Sequence, residues 1–480
     1  MNASFNLAVI APAIVLALTG FVIVALDLFF RPRKSVILGI AIVGLCVSLF
    51  YTLNIWGENQ FAFDGLVAAD NFALVFNCIF LIAAGLCMLL AMNLYESSYL
   101  LYTEFFAIML FATVGMMLMA AGTNLLTIFL GLETLSISLY VLAGFKRTEE
   151  RSLESAFKYF LLGAFASGFL LYGMAFVYGA TASLDLAEIS SFVTNNSVID
   201  NPLLILGGLL IVVGLGFKVA VVPFHMWAPD VYQGAPTPIT AFMATGSKAA
   251  GFAALLRVLF SATNGTVADW VIILWILSVL TMSVGNIAAI VQSNIKRMLA
   301  YSSIAHAGYI LVGVVAWNEV GAASVIFYLL AYTFMNVGAF GIISILGAKD
   351  KEYVELDDFK GLGFQRPMIA VSMAVFMFSL AGLPPTAGFV GKFYLFTAAV
   401  KAGHIPLVII AVINSMVSLY YYLGVVVAMF MKEKETDWGV KVSLPTVSVS
   451  LVLAVVGTLG LGLFPSNLMQ QFQLLVNQIL

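Results

Sequence analysis

Four charged residues lie inside apolar runs. Glu133 sits in LLTIFLGLETLSISLY, Lys218 stands five residues ahead of Pro223, Lys248 is flanked by small residues in MATGSKAAGFAAL, and Lys392 follows Pro384 and Pro385 amid glycines. A charge at the centre of a bilayer costs about 2.5–3.5 kcal/mol on insertion scales, which makes such residues functional by default. The chemistry they offer is proton transfer. An amine whose carboxylate neighbour approaches or withdraws changes its proton affinity, so it can take up a proton and release it again. The bland alternative, for Glu133 above all, is a structural ion pair between helices.

Further residues extend this set. His225 follows Lys218 by two helical turns, and imidazole titrates near neutrality, as a relay requires; its alternative role is to bond backbone freed by the nearby prolines. His306 has Ser302 and Ser303 one turn before it, a polar face inside lipid that reads as a hydrated path. Lys158 has Glu154 at i−4 and is placed equally well at the membrane surface or in the buried network. Arg257 is read as snorkelling to the surface, Asp27 and Arg31 as an interfacial pair, Glu104 as a residue of the membrane edge, and Trp227 and Tyr232 as interfacial anchors.

The elements that position these residues follow from composition. Of 480 residues, 62% are apolar and 9% charged, against about 25% charged in a soluble domain, and the mean hydropathy is +1.07. So few charges cannot cover the surface of a soluble chain this long, so the chain is a polytopic membrane protein. A net charge of −3 excludes a basic face for nucleic acid. Cys46, Cys78 and Cys87 form no CxxC pair for zinc or an iron–sulfur cluster. His225, His306 and His404 are too few for a cytochrome that holds two haems by paired histidines. No P-loop or dinucleotide fingerprint occurs, so no nucleotide chemistry is expected in this chain.

The fold class is all-α, with about fourteen spans of about 20 residues each: 6–30, 35–56, 72–95, 104–121, 124–146, 152–181, 203–233, 237–262, 268–290, 295–317, 320–348, 367–402, 405–431 and 443–464. The runs are continuous rather than alternating, which excludes a barrel. The first lacks a basic flank and is too long for a cleaved signal peptide. Basic residues in the connections (Arg31, Arg33, Lys34, Lys146, Arg147, Arg151, Lys296, Arg297, Lys349, Lys351, Lys360, Arg366, Lys432, Lys434 and Lys441) follow odd-numbered spans, and Lys401 alone follows an even-numbered one. That bias puts both termini on the non-cytoplasmic side. The whole chain, 1–480, is one transmembrane domain, with its longer polar connections near 57–71, 182–202 and 349–366.

Two spans are too long and carry prolines inside: Pro223 and Pro229 in the seventh, Pro384 and Pro385 in the twelfth. Proline breaks a helix, and broken backbone at membrane depth survives only when it is buried in protein or lines a wet cavity. The breaks are five spans apart. This predicts two inverted five-span repeats, spans 4–8 over 104–262 and spans 9–13 over 268–431, each with one broken helix. Tyr140-Val-Leu-Ala-Gly144 and Tyr309-Ile-Leu-Val-Gly313 echo each other at corresponding places.

Several segments then carry a resemblance: LGLETLSISLYVL around Glu133, FKVAVVPFHMWAPDVYQGAPTPITAF around Lys218, GSKAAGFAALLR around Lys248, IKRMLAYSSIAHAGY, and LAGLPPTAGFVGKFYLF around Lys392. From about residue 100 to 430 the chain resembles the antiporter-like membrane subunits of proton-pumping NADH–quinone oxidoreductase, respiratory complex I. Its length, and a lysine rather than a glutamate in the second broken helix, make it most similar to the N, or chain-2, type. The resemblance implies that Glu133 pairs with and modulates Lys218, the lysine of a first half-channel. It implies that Lys248 connects along a central axis and that Lys392 ends the second half-channel. Lys158 matches a further lysine of span 6. It also implies a bacterial inner-membrane location, partners in the membrane and peripheral arms, and NADH, FMN, iron–sulfur clusters and quinone held by those partners rather than here. A multisubunit cation/proton antiporter shares the broken helices and buried lysines and stays open as an alternative, as does a purely structural arm subunit.

Overall fold

The computed structural model describes residues 6–30, 33–97, 103–196, 201–262, 267–346, 353–433 and 445–476. Arg31, Lys349, Lys351, Lys434 and Lys441 of the charge pattern lie outside these residues. The chain begins with α1 (Leu7–Phe30) and α2 (Lys34–Asn54), then a hairpin of β1 (Gln60–Ala62) and β2 (Val67–Ala69), then α3 (Asn71–Ser97), α4 (Glu104–Ala121), α5 (Leu125–Ala143) and α6 (Glu150–Thr181). A short amphipathic α7 (Leu186–Asn195) leads to α8 (Pro202–Val219), α9 (Trp227–Gly234) and α10 (Thr237–Phe242). A π-turn, Met243–Ser247, joins α10 to α11 (Lys248–Ala262), followed by α12 (Val267–Ile290), α13 (Ile295–Val315) and α14 (Glu319–Ile345). After α15 (Leu362–Gln365) come α16 (Pro367–Ala381), α17 (Ala387–Lys401), α18 (Ile405–Met431), α19 (Pro445–Leu463) and α20 (Ser466–Val476).

Among the described residues 13 helices are long and apolar enough to cross a membrane, α10, the π-turn and α11 counting together as one. The remaining expected span, the twelfth at 367–402, is the pair α16 and α17. Each is too short to cross alone, because Pro384 and Pro385 stop the helix between them. The seventh expected span stops early for the same reason. α8 ends at Val219, and the segment carrying Pro223 separates it from α9.

The two breaks are built alike. Ala220 and Gly382 both take the left-handed conformation, at φ 59° and 87°. Val221 N donates to Gly216 O at 2.9 Å and Leu383 N to Phe378 O at 2.9 Å, the bond that closes a helix C-terminus behind a left-handed residue. A second likeness joins α5 and α13. Asn124 caps α5 and forms a β-bridge with Asp185; Asn294 caps α13 and forms one with Glu355. Both asparagine side chains accept a backbone N–H in the first helical turn, which is what makes asparagine a favourable N-cap.

The core runs through α3, α4, the π-turn with its flanking helices, α13 and α14. α13 and α14 are buried along almost their whole length, and 237–260 is buried throughout. A buried helix can be apolar all round, so its rare polar residues must face other protein. α1, α6, α12, α18 and α19 form the apolar outside of the bundle.

Two expectations are corrected. Arg257 does not snorkel. It is 4% exposed and forms a bidentate ion pair with Asp70, while also donating to Ala120 O at 3.1 and 2.7 Å. Trp227 and Tyr232 are buried rather than interfacial, because α9 folds back into the bundle after the Pro223 segment.

Candidate functional site: a buried row of amines and hydroxyls

The first node lies between α5, α6 and α8. Glu133, on α5, is half-buried and accepts a hydrogen bond from Ser167 Oγ of α6. Lys218, in the last turn of α8, is buried and donates to Ser136 Oγ at 2.9 Å and Tyr159 OH at 3.4 Å. Ser136 and Ser167 both line a small cavity, with room for about one water, that reaches Lys218. Glu133 is therefore an electrostatic neighbour of Lys218 rather than its hydrogen-bond partner. The helix break serves this node directly. Lys218 sits in the last turn of α8, and a cation is favoured at that end of a helix.

Tyr159 leads inward. Its ring stacks on Trp227 of α9 at 4.5 Å and 8°, and Trp227 Nε1 donates to Phe217 O at 3.0 Å. Ser247, last residue of the π-turn, adjoins the Tyr159 hydroxyl. The next residue is Lys248, 2% exposed, whose Nζ donates to both the carbonyl and the hydroxyl of Ser303 on α13 at 2.5 Å each. It also lies over the Tyr332 ring at 5.9 Å. The π-turn adds a residue to the local helical turn, the kind of irregularity that often marks a functional site.

One turn along α13 from Ser303, His306 is held between two hydroxyls, Tyr328 OH on Nδ1 at 2.5 Å and Tyr422 OH on Nε2 at 3.0 Å. Tyr422 also hydrogen-bonds Ser302. His306 lies within electrostatic reach of both Lys248 and Lys392. Asn286 continues the row. Its Nδ2 donates to Tyr309 OH at 2.9 Å and Asn414 Oδ1 at 3.2 Å, and its Oδ1 accepts from Tyr421 OH at 2.8 Å. Lys392 on α17 closes the row. It lies over the Tyr309 ring at 4.8 Å and donates to Leu380 O, Ala381 O and Ser415 Oγ at 3.1, 3.1 and 3.0 Å.

The structure thus brings Glu133, Lys218, Lys248, His306 and Lys392 onto one axis. Two candidates lie off it. Lys158, side chain 39% exposed, pairs with Glu154 at 2.6 Å and Asp230 at 2.7 Å at the edge of the bundle. His225 falls in the segment between α8 and α9, and its Nδ1 is buried without a hydrogen-bond partner among the described residues. Sequence reading missed Ser136, Ser167, Tyr159, Tyr328, Tyr422 and Asn286. Asn286 carried a usable signal, an amide inside a span; the tyrosines carried none, since aromatic residues are ordinary in apolar helices.

Hydroxyl and imidazole groups both donate and accept, so a row of them between amines can hand a proton along without moving any helix far. Each amine has at least two neutral oxygen or ring partners, which offsets part of the cost of burying it.

A family model described as NADH:quinone oxidoreductase/Mrp antiporter, TM, matches residues 122–418, which contain every axis residue except Tyr421 and Tyr422. NADH-quinone oxidoreductase subunit N of Trichlorobacter lovleyi is 50% identical over 479 residues, 99% of this chain and 98% of the relative. A chain of respiratory complex I from Thermus thermophilus, solved with bound aureothin, is 39% identical with a TM-score of 0.82, over 96% of this chain and 98% of that one. A chain of the Mrp complex from a Dietzia species shares the fold, with a TM-score of 0.86 at 21% identity over 99% and 98%. With its buried axis lying almost wholly inside the matched region and its likeness running end to end, the chain belongs to the NADH:quinone oxidoreductase/Mrp antiporter family of membrane subunits, in the branch of NADH-quinone oxidoreductase subunit N.

Proposed function

We propose that this chain is a proton-translocating membrane subunit of an NADH–quinone oxidoreductase, and that protons move through a relay of Glu133, Lys218, Lys248, His306 and Lys392. The observation that carries this is three buried amines, each bonded to a hydroxyl, with one hydroxyl-bonded imidazole within electrostatic reach of two of them. Redox chemistry belongs to partner subunits of the membrane and peripheral arms, which hold NADH, FMN, iron–sulfur clusters and quinone. Coupling is electrostatic. A change in the Glu133–Lys218 separation alters the proton affinity of Lys218 and sends charge inward.

The magnitudes fit. Moving one charge against 100 mV costs about 2.3 kcal/mol, and a change of two pKa units supplies about 2.7 kcal/mol. We read 104–262 and 268–431 as inverted repeats. The matched helix breaks at Ala220 and Gly382 and the matched bridges Asn124–Asp185 and Asn294–Glu355 support that reading. The bacterial relative favours an inner-membrane location, and the basic connections favour both termini on the periplasmic side.

The test is NADH-driven proton uptake by sealed membranes carrying Lys218→Ala or Lys248→Ala in the assembled complex. Pumping falls in both; normal pumping in both overturns the relay. The second reading, a subunit of a cation/proton antiporter, rests on the shared fold of the Mrp chain, but identity there is 21% against 50% for the subunit N relative. Co-purification with NADH dehydrogenase chains supports the first reading, and co-purification with small membrane chains alone supports the second.

A further inference from the structure

α9 is a short helix tied down by three cations from two long helices. Asp230 accepts from Lys158 Nζ of α6 at 2.7 Å and from Arg297 Nη1 of α13 at 2.6 Å. Arg297 also donates to Gln233 at 3.1 Å, and Lys296 Nζ donates to Ala235 O, just past the end of α9, at 2.8 Å. Glu154 holds Lys158 from its other side at 2.6 Å. Where α9 ends, it touches α6 backbone directly: a Cβ on Gly234 would stand 2.3 Å from Arg151 O.

These ion pairs are partly exposed, with side chains 29–39% accessible at Arg297, Asp230 and Lys158. Pairs of that kind contribute little to global stability. Their placement is more telling. Lys158 is followed by Tyr159, whose hydroxyl receives Lys218. Asp230 lies one turn after Trp227, whose ring stacks on Tyr159 and whose Nε1 holds Phe217 O beside Lys218. Arg297 shares α13 with Ser303, the partner of Lys248.

We propose that Asp230 is a positioning residue: by bracing α9 between α6 and α13 it fixes the Tyr159–Trp227 stack against Lys218 and ties that wall to the helix that carries Ser303. Asp230 itself passes no proton. The proposal rests on Lys218 being a proton carrier, and the experiment separates the two.

Asp230→Asn, Asp230→Glu and Lys218→Ala are compared in the assembled complex, reading protons moved per NADH oxidised and the pH profile of pumping. Asp230→Asn lowers the proton yield several-fold and shifts the pH profile, while complex content and electron transfer to a soluble acceptor stay normal. Asp230→Glu, which keeps the charge, restores most of the yield. If Asp230→Asn fails to assemble, Arg297→Gln, which leaves Asp230 with Lys158, is read the same way. A wild-type yield and pH profile in the assembled charge-removing variant, alongside loss of pumping in Lys218→Ala, overturns the positioning role and leaves the relay standing. Normal pumping in Lys218→Ala overturns the relay and, with it, this proposal.

Discussion

Lys392 Nζ donates to Ala381 O at 3.1 Å, so the amine of one half-helix rests on the last carbonyls of the other. Those carbonyls have no intrahelical partner, and the helix dipole favours a cation there. Gly382 makes the approach possible. It takes φ 87°, and a Cβ on it would stand 3.1 Å from Lys392 Cδ and 3.2 Å from Nζ.

Gly382→Ala is therefore expected to strain the backbone by about 1 kcal/mol or more and to push the amine off its carbonyls. The measurement is proton yield per NADH in sealed membranes, with Gly424→Ala as the control. A Cβ at Gly424, inside α18, meets nothing within 4 Å, so that variant pumps normally. Equal yields in the two variants would show that Lys392 does not depend on its seat.

Lys248 has two acceptors on one residue, and they can be removed unequally. Ser303→Ala deletes the hydroxyl and leaves the carbonyl. A hydrogen bond to a charged group is worth about 1.5–3 kcal/mol, so this variant is expected to keep partial pumping, between wild type and Lys248→Ala. Pumping rates at a fixed rate of NADH oxidation give the comparison. A Ser303→Ala complex as poor as Lys248→Ala would make the hydroxyl, rather than the amine alone, indispensable.

The lysines were legible in the sequence because charge in lipid is expensive, so each survivor stands out; Glu133 stood out for the same reason. The breaks were legible because proline has one effect on a helix. The hydroxyls between the amines were not. A tyrosine in an apolar run has the same pattern whether it packs, as most do, or bonds an imidazole, as Tyr328 and Tyr422 do. Arg257 misled for a different reason. Its position near a helix end fits snorkelling, and its partner Asp70 lies far away in the chain, before α3. Pairing at such a distance is a property of the packed bundle and leaves no local trace. Lys158 was open between surface and network, and the packing of α9 decides its partners.

The Asp70–Arg257 pair makes a stability prediction. Arg257 is 4% exposed, and Asp70 also caps α3 by accepting from Ala73 N at 2.8 Å. Removing one partner of a buried pair strands the other charge and costs about 3–5 kcal/mol. Asp70→Asn and Arg257→Met should each lower the thermal melting point of the purified complex. The double variant should lose less than the sum of the two, and a double-mutant cycle measures the difference. Strict additivity would mean that the two residues act independently.

Glu133 poses the sharpest contrast, because its charge and its hydrogen bond can be separated. The carboxylate accepts from Ser167, and its field reaches Lys218 across the small cavity that Ser136 and Ser167 line. Glu133→Gln keeps the shape and an acceptor for Ser167 but removes the charge. Ser167→Ala keeps the charge and removes the hydrogen bond. If Glu133 works by modulating Lys218, the charge is what counts, since a neutral amide has no comparable effect on a proton's affinity for the amine. Glu133→Gln should then depress both pumping and NADH-driven quinone reduction, the two being coupled, while Ser167→Ala loses far less of either. Quinone reduction at the full rate in Glu133→Gln would remove the modulating role, and a larger loss in Ser167→Ala would assign the site to the hydrogen bond instead.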